Sequence, residues 1–396
     1  MATNKAGRGK KVAFLLNLMQ DVNIVRGLVY LTARETDAKI ILLVSQGFLK
    51  RDRVKSWQAE IASLAADIGA SICLYGSTAE ACAVLEDGEG IIFAASESSL
   101  SAHWETSEVF AAAPPAYLKV TLQHGLEGVG FLQSREHVMS HGRNVSFHAD
   151  VVCGWLNAPA LTSLVASERA KLYVTGPPTL LQQPGRDPAE RQDGGLVCEN
   201  MHSVRLRASG DHKTSFMDIF FAFARSVAER GESVVLRPHP GGQYVLKNNI
   251  ELPGNVGLNN RPIFDVNLTA YRFGISAPST IVLDMVLAGI PVGVWRDSSG
   301  IMDASAYNGL TEISTLDDWL AFERDVRLRP EMILERQHQF VRQLQMPTDP
   351  AEIYRRFTRL IVAGLAGLPN RAGRNGSAPA APPEATLSGD VLAEVA

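Results

Sequence analysis

The sequence predicts an α/β protein made of two doubly wound parallel-sheet domains that face a central cleft, followed by C-terminal helices and a disordered tail. Two observations carry that expectation. Short apolar runs alternate with longer stretches of helical period along most of the chain, which is the pattern of a parallel sheet with crossover helices. The chain also has 396 residues, 46% hydrophobic and 20% charged, and single cores seldom grow past about 250–300 residues. Two cores are therefore expected.

The elements follow in order. Residues 1–11 read as a flexible start. Domain one, 12–180, has strand candidates "VAFLLNL" (12–18), "KIILLVS" (39–45), "SICLYG" (71–76), "GIIFAAS" (90–96), "YLKVTLQHG" (117–125), "ADVVCGW" (149–155) and "KLYVTGPP" (171–178), with helix formers between them, as at 54–68 and 77–86. The stretch 181–194 is rich in Pro, Gly, Gln and charge with no period, as a linker would be. Domain two, 195–345, continues with "GLVCEN" (195–200), a helix at 212–230, "ESVVLRPHP" (232–240), "VGLNN" (256–260), "YRFGIS" (271–276), a helix at 279–289 and "PVGVW" (291–295). Helical stretches near 316–328, 330–344 and 350–366 come next, and the segment 346–367 is expected to pack back on the first domain. The tail 368–396 is rich in Ala, Pro and Gly and cannot repay its ordering entropy.

Composition excludes several function classes. A formal net charge of −4 gives no general pull toward nucleic acid or an anionic membrane surface. Cys73, Cys82, Cys153 and Cys198 lie far apart, without zinc-type pairs or the density of a secreted disulfide scaffold, so they read as reduced thiols. The apolar run after the basic start is about seven residues and leads to no cleavage site, which argues against a signal peptide. No run approaches the roughly 18 apolar residues of a membrane span. The expectation is a soluble cytoplasmic protein that could still touch the inner membrane surface peripherally.

In open parallel sheets, ligands bind outside the carboxyl ends of the strands. His124 ends the fifth strand candidate, Glu199 and Asn200 the eighth, Arg237 and His239 the ninth, and Ser276 closes the strand before "APST". In "SAPSTIVLDMVLAGIPV" (276–292), Pro278 precedes a helix, Ser279 or Thr280 supplies a capping hydroxyl, and the free N–H groups of that terminus attract phosphate. By itself an N-cap serine is ordinary. "RPHPGG" (237–242) adds a guanidinium fork suited to a diphosphate and a histidine able to donate a proton to a leaving phosphate. "TLQHGLEGVGF" (121–131) repeats the form in domain one: His124, flanked by Gln123, Gly125 and Glu127, is a candidate base for an acceptor hydroxyl. Walker A, HExxH, GxSxG and Asp-x-Asp motifs are missing. No cofactor or metal is expected. Asp317 and Asp318 read as a helix start, and Arg355, Arg356 and Arg359 as a solvated face.

In combination, the "QHG" of the first half, the "RPHP" of the second and "SAPST" opening a helix that carries Asp284 resemble the two-Rossmann glycosyltransferase architecture called GT-B. More narrowly they are similar to the CDP-glycerol glycerophosphotransferase and bacterial capsule-polymer transferase group, with HP and Ser-Ser/Thr motifs also found in bacterial sialyltransferases. The resemblance spans roughly residues 12–366. It implies transfer of a sugar or polyol phosphate from a nucleotide donor, CDP- or CMP-linked in that group, to a hydroxyl of a cell-envelope glycan. His124 would be the base, His239 would assist the leaving phosphate, and Ser279 and Thr280 would bind it. "QHG" stands where glycerophosphotransferases have "WHG", and the acidic motif of sialyltransferases is not evident. Two rivals remain: a nucleotide-sugar 2-epimerase on a similar fold, and a non-catalytic scaffold on a degenerate one.

Overall fold

The computed structural model describes residues 7, 9–52, 55–182, 194–200, 213–240 and 243–367. The expected tail and most of the expected flexible start and linker lie outside the described residues, as do Gly241 and Gly242 after the "RPHP" motif, while Lys11, at the end of the expected flexible start, already opens the first strand.

Thirteen strands make two sheets among the described residues. β1 (Lys11–Leu16), β2 (Lys39–Ser45), β3 (Ser71–Tyr75), β4 (Gly90–Ala94), β5 (Tyr117–Leu122), β6 (Val151–Gly154) and β7 (Leu172–Val174) lie in the order β3-β2-β1-β4-β5-β6-β7. β8 (Gly195–Glu199), β9 (Val234–Pro238), β10 (Val256–Leu258), β11 (Phe273–Ser276), β12 (Val292–Trp295) and β13 (Thr311–Ile313) lie in the order β10-β9-β8-β11-β12-β13. All pairings are parallel. β1 after Lys11, β4 and all of β8 are buried along their length, which explains their unbroken apolar runs: both faces of such strands are covered by helices. In each sheet the strand order reverses beside the first strand, so β1/β4 and β8/β11 are the switch points where a crevice opens.

β13 lay outside the expected strands. Its sequence is "TEI", three residues with one buried side chain, too short to leave an apolar run. The helix Met19–Glu35 crosses from β1 to β2 and buries Val22, Val25, Leu28 and Val29.

The helix Pro350–Leu365 belongs to the first sheet although it follows the second in sequence. Asp349 caps it, accepting from the N–H groups of Ala351 and Glu352 at 3.0 and 3.2 Å, and Pro350 occupies the first turn, where no donor is lost. Its buried Ile353, Phe357, Leu360, Ile361 and Leu365 join the core of Phe14, Phe93 and Leu118. Each such side chain contributes about 1.5–3 kcal/mol on burial. Gly364 lets the helix approach closely, since a Cβ there would fall 2.8 Å from Ile91 and 2.9 Å from Leu118.

Candidate active site

The second-domain half is built from the ends of β8, β9 and β11. Glu199 closes β8 and is 1% exposed. Its Oε1 and Oε2 accept from the backbone N–H groups of Tyr244 and Val245 at 2.6 and 2.9 Å. Burial pushes the carboxyl up to about 7, and hydrogen bonds from Val245, Tyr244 and His239 backbone N–H groups oppose it. Glu199 therefore anchors the turn that carries His239 and does not reach into the cleft. Asn200 donates through Nδ2 to the Pro278 carbonyl at 2.9 Å, tying β8 to the loop ahead of the phosphate-type helix, and its Oδ1 is buried with no hydrogen-bond partner among the described residues.

Arg237 departs from the expected exposed fork. It is 6% exposed, and Nη1 donates to the Arg261 carbonyl at 2.8 Å. Burial pulls the guanidinium down, while Cys198, Tyr271 and Asp284 push it back up. Asp284, on the helix Thr280–Leu287, is pushed up to about 7 by burial against the opposing charge of Arg237. The arginine thus presents a buried positive charge beside Asp284 of that helix. Ser276 is also buried, and its hydroxyl donates to the Ala277 carbonyl at 2.7 Å. Ser279 is the residue before the helix but makes no side-chain cap bond, contrary to the expected capping hydroxyl. Ser279 and Thr280 remain half-exposed, as does His239.

The first-domain half centres on His124, in the turn after β5. Nδ1 lies 3.2 Å from the Ala95 carbonyl. A carbonyl only accepts, so Nδ1 carries the proton and Nε2 is the bare, basic nitrogen. Desolvation lowers the pKa of His124, and the bond to Ala95 opposes it. Gln123 is fully buried and spent on the turn: Nε2 donates to the carbonyls of Gly125 and Leu126 at 2.8 and 3.2 Å, and Oε1 accepts from Trp155 N–H at 2.8 Å. It shapes the turn from behind. Glu127 is half-buried two residues beyond Gly125.

Sequence reasoning missed a buried polar network at this edge. Asp21 is fully buried, its Oδ2 accepts from Asn17 N–H, Leu18 N–H and Ser96 Oγ at 2.8, 2.7 and 2.7 Å, and its Oδ1 has no partner among the described residues. Burial pushes it up to about 6. Glu97 is 1% exposed, accepts from His148 N–H at 2.9 Å, and is pushed up to about 7 by burial. Ser45 and Arg51 hold Asn17 Oδ1 at 3.0 Å each. His103 stands against His124 and is bonded in turn to Ser98. The only signal for these residues was their place just past the strands β1, β2 and β4.

The two halves meet. A Cβ built on Gly125 would lie 2.5 Å from Thr280 Oγ1, so the histidine turn of one domain touches the helix terminus of the other. Elsewhere at the cleft, Arg135 N–H donates to Asp303 Oδ2 at 2.8 Å and Asp303 N–H donates to Glu136 Oε1 at 3.1 Å, a reciprocal clasp between the domains. On the opposite side, the Arg26 guanidinium stacks 4.4 Å from the Phe264 ring centroid. At the meeting point, the turn that carries His124 lies against the half-exposed hydroxyls at the start of the helix Thr280–Leu287. Among the described residues no group of three or more His, Cys, Asp or Glu could hold a metal ion, and no helix is long and apolar enough to cross a membrane.

No protein-family model and no curated protein sequence matches the chain. Solved structures do. A glycotransferase of kitacinnamycin superposes with a TM-score of 0.53 at 12% identity, covering 91% of this chain and 99% of its own. A putative UDP-N-acetylglucosamine 2-epimerase from Listeria monocytogenes gives 0.55 at 12%, covering 87% and 94%. The UDP-GlcNAc 2-epimerase from Neisseria meningitidis, bound to UDP-GlcNAc, gives 0.53 at 11%, covering 90% and 100%. At these identities the likeness concerns the fold: the chain has the two-domain GT-B architecture on which both glycosyltransferases and nucleotide-sugar 2-epimerases are built.

Proposed function

We propose that this protein is a metal-independent glycosyltransferase, or a polyol-phosphate transferase of the same plan, that moves a sugar-like group from a nucleotide-activated donor to a hydroxyl of a cell-envelope glycan. The observation that supports the reading is the approach of Gly125, the residue after His124, to Thr280 at the start of the helix Thr280–Leu287. In the sugar-transfer form, the acceptor hydroxyl gives its proton to His124 Nε2 as its oxygen bonds to the anomeric carbon. The bond from that carbon to the donor phosphate oxygen breaks, and the nucleotide leaves with the electron pair. Ser279, Thr280 and the helix N–H groups bind the phosphate, Arg237 offsets its charge from behind, and His239 donates to the leaving oxygen. Closure of the two domains excludes water, which limits hydrolysis of the donor.

Thermal stabilisation by CMP, CDP, UDP and GDP tests this. One nucleotide should raise the melting temperature of the wild type, a ligand at 100 times its Kd being worth about 2.7 kcal/mol, and His239→Ala should lose most of the shift. No shift with any nucleotide would overturn the donor-site reading and favour the scaffold. The cytidine base implied by the sequence resemblance and the peripheral membrane contact left open by the composition belong to the same proposal, and the panel decides the base.

A specific observation keeps the epimerase reading alive. That chemistry calls for acid and base groups in the first domain, and Asp21 and Glu97 are carboxyls held near neutrality there. Both are buried and bonded to backbone N–H groups, which suits bracing better than proton transfer. An epimerase would convert the sugar nucleotide to its isomer without an acceptor. A transferase would leave it intact until acceptor is added.

A further inference from the structure

His103 takes no part in the reaction proposed above, yet a buried imidazole is costly beside a working histidine. It ends the short turn Ser101–His103 and is 6% exposed. Its ring stands edge to face with that of His124, centroids 5.8 Å apart at an interplanar angle of 79°. A buried ring nitrogen needs a partner, and Ser98 Oγ lies 2.6 Å from His103 Nδ1. The same Oγ accepts from Leu100 N–H at 3.3 Å, which leaves the serine hydrogen free to bond Nδ1. With Ser98 as donor, His103 is neutral and carries its proton on Nε2. Burial first, then the positive character of His124 and His141, pushes its pKa down to about 3.

His124 alone could rotate its ring by half a turn, which would put Cδ2 where Nδ1 stands, lose the bond to the Ala95 carbonyl and leave the proton free to sit on either nitrogen. We infer that His103 is a positioning residue for His124: braced by Ser98, its ring blocks that rotation and keeps Nδ1–H on Ala95 with Nε2 bare. The inference rests on the reading of His124 as the base, but its test does not use activity. A phenylalanine would fill the same space and block rotation, yet leave the Ser98 hydroxyl without an acceptor. A cationic residue would repel a protonated His124 at this distance.

Long-range 15N NMR of the histidine rings reads tautomer and titration directly. In the wild type, His124 should show one tautomer, protonated at Nδ1, and titrate below the ordinary range. His103→Ala should give averaged tautomer shifts and raise the His124 midpoint by roughly half a pH unit or more, toward its ordinary value. His103→Phe should keep the single tautomer. A single Nδ1–H tautomer with an unmoved midpoint in a folded His103→Ala would overturn the inference. Should His103→Ala fail to fold, Ser98→Ala, which removes the brace together with the weak bond from Leu100 N–H, decides the same question by the same two readouts. A nucleotide panel without shifts, together with the tautomer response, would sink the transferase reading and leave the positioning role standing.

Discussion

Glu199 ends the strand β8 as a side chain, yet it acts as a cap for backbone that lies 45 residues further on. Two peptide N–H groups have no other acceptor in view, and the carboxylate takes both. Glu199→Ala should therefore leave two donors without an acceptor and cost about 2–6 kcal/mol, counting about 1–3 for each unsatisfied group. Glu199→Gln keeps one acceptor and should cost about half as much. Urea unfolding at neutral pH measures both, and an alanine variant within about 0.5 kcal/mol of wild type would contradict the role given to this residue. The residue was legible in the sequence as a polar group at a strand end. Its job was not, because whether a carboxylate at that place faces a ligand or a neighbouring loop depends on a fold in the turn after "RPHP". Arg237 makes the same point: the motif marked it, and only packing puts its guanidinium near Asp284 and against the Arg261 carbonyl. Asp21 and His103 were illegible for a different reason. One sits in an amphipathic helix start and the other in a serine-rich loop, where single polar residues are ordinary.

The helix Thr280–Leu287 was visible as an element, from proline before it and apolar residues at three- and four-residue spacing. Its seating was not. It packs on β11 through Gly274, where a built Cβ would meet Met285 Sδ at 2.1 Å. There is no side chain at that point because the helix takes the room. Gly274→Val should overpack the contact, cost about 1–3 kcal/mol, and push the helix terminus away from Gly125. Nucleotide-dependent stabilisation should fall in this variant by more than the lower stability accounts for, and adding Met285→Ala should restore part of it. Equal nucleotide shifts in wild type and Gly274→Val would show that the seating of the helix does not matter to binding. Among strands, β13 escaped detection since "TEI" pairs with β12 at three positions and buries a single apolar side chain well. The parallel strands β1, β2 and β4 were plain for the opposite reason, as continuous buried runs.

The molecule as a whole carries an unusual proton ledger. Asp21 is pushed up to about 6, and Glu97, Glu199 and Asp284 to about 7, in each case chiefly by burial. These groups hold protons in the folded chain that the unfolded chain releases near its ordinary 3.8 to 4.5. Their contribution is therefore full at pH 4 and is lost as the pH rises toward 7. His103, at about 3, and the lowered His124 act in the other direction: the unfolded rings gain protons below 6.5 and the folded ones do not, so their contribution is lost as the pH falls. Four carboxyls outweigh two imidazoles. Thermal stability should rise as the pH is lowered from 8 to about 5.5, by about 1.4 kcal/mol per pH unit for each net proton bound on folding. A melting temperature highest at pH 8 would show that the buried carboxyls ionise in the folded state. The double-sheet architecture behind this was readable from alternation alone. The facing of the two sheets was not, since it depends on Gly125, Thr280, Asp303 and Phe264, four residues with no shared pattern.

The return of the helix Pro350–Leu365 to the first sheet also bears on how the protein comes into being. During synthesis, the strands of the first domain leave the ribosome with a strip of Phe14, Phe93 and Leu118 uncovered, because the helix that seals it is encoded after the entire second sheet. At about 5–20 residues per second, the interval between β7 and that helix is on the order of ten seconds. Through that interval the nascent first domain exposes a sticky seam, and the chain must be shielded by a chaperone or by its own partial collapse until the last helix arrives.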